Sequence, residues 1–254
     1  MDFTIEGAKI YFRIPTGIPI LGDILISETV VNSWIVMGII LFLCLFLTHD
    51  LKVENISKRQ AIAEWLVEIA NNFVRNNTGS RAFDAYIPFI AALFSTSLFC
   101  NLLSLVGLRS PTADLSVEAA WAVVAFVLIT RTKIKTNGFG GYLKGFTTPI
   151  AIMTPFNILS EIATPVSMAC RHFGNILSGV VIDGLIYWAL ALLSAWVFGK
   201  LPGVLGEVLS QIPFFDVGIP AITSLYFDWF TGFMQAFIFC MLTIMYISNA
   251  AQKN

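Results

Sequence analysis

Residues 166–181 read VSMACRHFGNILSGVV, and Arg171 and His172 are the only charges between residues 162 and 182. A guanidinium keeps its proton at any ordinary pH, so Arg171 is a permanent cation in an apolar run. Its chemistry is electrostatic: it favours the ionised form of a nearby carboxyl and repels mobile cations. Asn175, four residues on, shares its helical face. His172 lies about 100° round a helix from Arg171 and points elsewhere, as a buried histidine satisfied by local partners or as a proton relay. Glu161 and Asp183 are the other breaks in the apolar stretch 150–199, and Asp228 alone interrupts 217–250. Each of these acids reads either as a polar step inside a membrane or as a cap or interfacial residue. Other chemistries lack their parts. His49 and His172 stand far apart with no HExxH, and there is no phosphate-cradling GxxxxGK[ST]. Cys44, Cys100, Cys170 and Cys240 sit in apolar runs without CxxC or Cys/His spacing, so neither a metal nor a cofactor is expected.

The elements that carry these residues follow from composition. The chain is 57% hydrophobic and 12% charged, against about 45–50% and 25% for a soluble domain, which reads as an integral membrane protein. A net charge of −1 with no basic stripe argues against a nucleic-acid partner. Bilayer-length runs fall at 29–48, 85–108 and 115–130, the last weakened by Glu118 in its first turn. The tail 1–28 has no basic n-region and reads as an external segment, not a cleaved signal peptide. Segment 57–77 has Ile62, Trp65, Leu66, Ile69 and Phe73 on one helical face and a Ser57/Gln60 capping box, as in an amphipathic helix on the membrane surface or against a partner. Basic residues crowd between the first and second spans and after the third, so the positive-inside rule puts the N-terminus outside and the C-terminus in the cytoplasm. That scheme accounts for every lysine and arginine except Arg171. Stretch 150–199 is ambiguous. It is either two short spans, turning at Gly174, Asn175 and Gly179, or one long tilted helix, and the parity of the charge count favours the single crossing.

The motif RHFGN (171–175), preceded by PVS (165–167), resembles the arginine motif of subunit a of the F-type rotary ATP synthase, bacterial type. PFIAALF (88–94), NLL (101–103), SPTADLS (110–116), YLKGF (142–146), PFNILSE (155–161) and MQAFIFCMLTIMYIS (234–248) match in the same order. The resemblance covers most of 83–250, and the first eighty residues add only a matching topology. It implies an all-α membrane protein of about five crossing helices plus the surface helix, one membrane domain over 1–254, with 150–199 and 217–250 as a long tilted hairpin. It implies a non-catalytic stator subunit in the cell's plasma (inner) membrane. Its partners would be the lipid bilayer, a rotating ring of c subunits, the b-subunit peripheral stalk and the rest of the synthase. Two offset half-channels would carry H⁺ or Na⁺ to and from the ring carboxylates. A secondary transporter is the alternative, but no internal repeat of the kind such folds carry is found.

Arg171 is then the residue that forces a passing ring carboxylate to release its ion. Gln235, carried over from the family, is its neighbour across the hairpin. Glu161 lies about 15 Å toward the cytoplasm from Arg171, where the inner half-channel should open. Asp183 lies about 18 Å outward of Arg171 and Asp228 about 10 Å outward of Gln235, two α-helical turns away on the same face. One departure stands out. Relatives commonly carry an acid or histidine nine residues after the arginine, paired with one seven residues before the glutamine. Here these positions are Val180 and Asp228, so Asp183, one turn beyond Val180, is expected to complete the pair. The family position of His172 is usually leucine.

Overall fold

The structure, a computed structural model, describes residues 8–15, 23–148, 150–200, 223 and 225–252. The described chain is almost wholly helical. A two-stranded antiparallel hairpin, β1 (Ile10–Ile14) and β2 (Ile24–Ser27), precedes α1 (Glu28–Thr48) in a tail to which the sequence lent no element. There follow α2 (Lys58–Thr78), a 3₁₀ turn Arg81–Tyr86 leading into α3 (Ile87–Leu102), α4 (Leu115–Gly145) and α5 (Thr154–Phe198). A π-helical turn Leu225–Thr231 leads into α6 (Gly232–Ala250). Among the described residues five helical segments are long and apolar enough to cross a membrane: Glu28–Thr48, Arg81–Val106, Leu115–Gly145, Ala151–Phe198 and Leu225–Ala250. This is the all-α, multi-pass membrane architecture expected.

Stretch 150–199 resolves as one helix. The turn considered at Gly174, Asn175 and Gly179 does not form, and α5 runs unbroken for 45 residues, about 68 Å at 1.5 Å per residue. Such a length exceeds the ~30 Å hydrocarbon layer, so the helix must tilt or project. The third span is also longer than its apolar run. Helix α4 continues through the basic segment to Gly145 with a kink at Gly138, whose φ of 72° is left-handed and suits glycine.

Helix α2 starts where the sequence indicated, with the Ser57 hydroxyl accepting from Gln60 N–H at 3.3 Å. The reciprocal half of the capping box is absent. The Gln60 amide instead pairs with both backbone groups of Lys52 at 2.9 Å, binding the preceding loop. Ile62, Trp65, Leu66 and Ile69 remain exposed on the chain's surface, as an apolar face turned toward lipid would be. Arg75 grips Asp84 in a two-point ion pair, Nε to Oδ1 at 3.1 Å and Nη2 to Oδ2 at 2.7 Å, which ties α2 to the foot of α3. That pairing holds the Arg75 guanidinium above its ordinary pKa.

The helices differ sharply in burial. In α6, Gly232, Gln235, Ala236, Phe239, Cys240, Thr243, Ile244, Ile247 and Ala250 are buried, a stripe at helical spacing that packs on α2, α3, α4 and α5. In α5, only Met168, Ala169, His172, Gly179 and Ser194 are buried. Helix α6 is therefore a central post, and α5 lies against the outside of the bundle. Val74, Ile90, Leu93, Ala122, Met168 and Phe239 belong to the shared core.

Polar groups pin α1, α3, α4 and α6 together. Asn101 donates its amide to the Gly232 carbonyl at 2.9 Å, and its own Oδ1 accepts from the Thr112 hydroxyl. The Ser110 hydroxyl donates to the Cys100 carbonyl at 2.8 Å. Asn32 of α1 donates to the Arg109 carbonyl at 2.8 Å, and Thr29 donates to Asp114 at 3.2 Å. Asp114 also caps α4, accepting from Ser116 N–H at 3.1 Å and Ser116 hydroxyl at 2.6 Å.

These contacts can be tested at Gly232 and Asp114. A Cβ at Gly232 would lie 2.8 Å from Asn101 Cβ, so Gly232→Ala must push α3 and α6 apart. The expected cost is about 1–3 kcal/mol, read as a lower thermal inactivation temperature of the solubilised protein. At Asp114, burial raises the carboxyl pKa, but hydrogen bonds from Ser116 and Thr29 and the nearby Arg109 guanidinium outweigh it, leaving the group below its ordinary value. A carboxyl depressed in the folded state contributes fully above its unfolded pKa, about 3.9, and loses that contribution as pH falls through the lower folded value. Asp114→Ala should therefore cost about 1 kcal/mol near neutral pH and make less difference in acid. Thermal unfolding of both proteins across pH checks this.

Candidate functional site

Arg171 lies on the exposed face of α5. The helix turns its buried face, Met168 and His172, toward α4 and α6, and one residue's rotation from His172 carries the arginine to the rim. Arg171 and Gln235 line the same narrow cleft between α5 and α6, with Met168, His172, Ile238 and Phe239. Tertiary structure thus brings together two residues 64 positions apart in sequence. Gln235 is 8% exposed and can offer the guanidinium a carbonyl oxygen without neutralising it. Among the described residues Arg171 enters no ion pair, whereas Arg75, Lys133 and His172 each meet an acid. Asn175, one turn further along α5, is half-buried and does not line that cleft.

His172 does have a local partner. Its Nδ1 lies 3.1 Å from Glu118 Oε2 of α4, with both side chains sealed from solvent at 1% and 0% exposure. Its ring packs between Trp121 and Phe239, at centroid distances of 6.3 and 5.7 Å. The sequence marked Glu118 only as a blemish on the third span. A lone acid in one apolar segment and a lone histidine in another were the available signal. Their pairing depends on which faces α4 and α5 turn to each other.

Glu161 was expected at a water path, and it borders a polar cavity of about 240 Å³ at one end of the bundle. Asn137, Tyr142, Asn157, Asn249 and Gln252 line this cavity with it. Lys133 also reaches Glu161, with Nζ at 2.6 Å from Oε2 and 2.8 Å from Oε1. The sequence assigned Lys133 to a basic loop and missed this pair, because α4 was taken to end short of it. Pro165 has no N–H, so the Glu161 carbonyl beside the cavity lacks its usual helical donor.

The two remaining acids lie toward the other end of α5. Asp183 is half-buried, twelve residues past Arg171. Asp228 falls in the π-helical turn Leu225–Thr231, and its side chain lies outside what the structure describes. Seven residues bring Asp228 under Gln235 only at α-helical periodicity, and a π turn closes over more residues. The two-turn relation therefore does not carry through this segment. Helix α5 meets the turn closely at Gly179, where an added Cβ would lie 3.5 Å from Phe227, so Val180 and Asp228 each directly follow a contact residue.

Comparison with known proteins agrees with the motif reading. The family profile described as ATP synthase A chain matches residues 30–248. The chain is 33% identical over 233 residues to ATP synthase subunit a of Desulforamulus reducens, covering 91% of this chain and 82% of that one. It is 33% identical over 234 residues to ATP synthase subunit a 1 of Prosthecochloris aestuarii, covering 91% and 93%. A protein of Propionigenium modestum named ATP synthase subunit a, sodium ion specific, is 27% identical over 274 residues, covering 97% and 86%. A profile match over most of its length, relatives similar over about nine-tenths of it and a five-span helical architecture agree: this chain belongs to the ATP synthase A chain family.

Proposed function

We propose that this chain is the stationary subunit of an Fo sector that conducts ions to and from a rotating c ring and couples their flow to rotation. The observation that carries this reading is the guanidinium of Arg171, held on the exposed face of a long, sparsely buried helix and, among the described residues, paired to no acid. A permanent charge in an apolar layer costs at least about 2.5–3.5 kcal/mol on insertion scales, so an unpaired one calls for a function. A ring carboxylate passing at about 4 Å gains roughly 4 kcal/mol from it at an effective dielectric near 20. That equals about three pKa units, enough to make the carboxyl give up its ion. The same charge repels a cation trying to cross directly between half-channels, so ions must travel with the ring. No step of ATP chemistry falls to this chain.

The polar cavity at Glu161 and Lys133 is the inner half-channel, open to the cytoplasm if the positive-inside rule holds, with the N-terminus outside. Asp183 and Asp228 form the outer path, and Asn175 extends the polar face of α5 beyond Arg171. The b-subunit stalk would hold the chain stationary in the plasma membrane. Ring residues decide whether the ion is H⁺ or Na⁺.

Arg171→Ala should abolish ATP-driven pumping in vesicles, and Arg171→Lys should nearly do so, since a desolvated lysine can lose its proton and lacks the planar fork. Near-normal coupled pumping with alanine at 171 would sink the mechanism. For the outer path, ion conduction through membranes stripped of the soluble sector should fall strongly with Asp228→Asn and less with Asp183→Asn. Adding Val180→Glu to Asp183→Asn should restore it. Wild-type conduction by Asp183→Asn would reduce Asp183 to an interfacial residue.

A further inference from the structure

The sealed contact between Glu118 and His172 has no part in ion conduction as proposed. Both side chains are essentially inaccessible, 3.1 Å apart, and among the described residues neither has another polar partner. Well-packed apolar residues often serve stability as well as a buried polar pair, which leaves conformational specificity as the role for this one. What it could specify is set by its neighbour in the chain. His172 is adjacent to Arg171, and the other fully buried residues of α5 within about one turn of it are Met168 and Ala169. Methionine is an adaptable packer and alanine a small one, so neither strongly resists rotation of the helix about its axis. A polar contact inside an apolar core does, because turning the helix would strand both groups without a partner.

We propose that Glu118 and His172 are a positioning pair, which fixes the rotation of α5 so that Arg171 stays over the cleft it shares with Gln235. The consequence for the arginine is geometric. At a helix radius of about 5–6 Å, a 30° turn sweeps a side chain by roughly 3 Å. Coulomb attraction varies inversely with separation, so a shift of that size away from a group about 4 Å off removes up to nearly half of it. The pair thus holds the arginine at the range where its field is strongest, without touching the ion. This role rests on the proposed action of Arg171, but the rotation itself is measurable apart from it.

The test uses the assembled complex and two separate readouts. For helix rotation, Cys44, Cys100, Cys170 and Cys240 are replaced by alanine. Arg171→Cys and Gln235→Cys are then introduced, and cross-linking across the cleft is scored with mild oxidant and a short bifunctional thiol reagent. Adding Glu118→Leu or His172→Leu should cut the yield at least about threefold, and the exchange Glu118→His with His172→Glu should restore it to within about twofold. With Arg171 and Gln235 intact, ATP-driven pumping should fall about tenfold or more in each single variant and recover in the exchange variant. Unchanged cross-linking in both single variants would overturn the proposal. So would an exchange variant that assembles but restores neither readout. If the single variants fail to assemble, the exchange variant decides on the same terms. Cross-linking that falls while pumping persists would support the positioning pair and overturn the arginine mechanism instead.

Discussion

An apolar layer offers no water to a polar group, so each such group on a membrane-spanning helix has to find its partner inside the protein. The fold can be understood as the consequence. Asn101 meets the carbonyl of Gly232, Thr112 meets Asn101, and Asn32 meets the carbonyl of Arg109. Glu118 meets His172, and Lys133 meets Glu161. Each contact joins separate segments of the chain, and together they fix which faces of the helices meet. Apolar packing between lipid-soluble helices is weakly directional, because lipid tails are as apolar as the side chains they replace. The polar contacts supply the missing direction.

Arg171 is an exception with a physical meaning. These other polar groups meet partners within the chain, while the guanidinium is exposed at the rim of the cleft between α5 and α6. Among the described residues it meets no acid, unlike the cations Arg75 and Lys133. The uneven burial of α5 and α6 accords with that exposure. Helix α6 is enclosed on several sides, whereas α5 leaves a long face exposed.

The close approach of α5 to the π turn bears on the family departure at Val180. Gly179 lies against Phe227, so the two helices come together one residue before Val180 and one before Asp228. A π turn widens the helix and shifts the register of the residues beyond it, and such turns recur at functional sites. Asn101 holds the carbonyl at the junction where this turn becomes α6, three residues before Gln235. Helix α3, which carries neither residue, thus anchors the chain between Asp228 and Gln235.

The sequence by itself determined the membrane class, the apolar helical stretches, the amphipathic pattern of α2 and the oddity of Arg171. These depend on composition and on short-range periodicity, which any stretch of chain displays without its neighbours. It also carried the family motif, and with it Gln235. What it could not decide was which residues meet. The single helix over 154–198 was one of two readings until its backbone was seen to run unbroken through Gly174 and Gly179. The π turn escaped because α-helical spacing was assumed there, and a one-residue change in hydrogen-bond register leaves no mark in hydrophobic pattern. Glu118 read as a defect and Lys133 as a loop cation, since each carries a charge whose partner lies on another helix. Only the rotation and tilt of packed helices decide such pairings, and these are set by the polar contacts acting together.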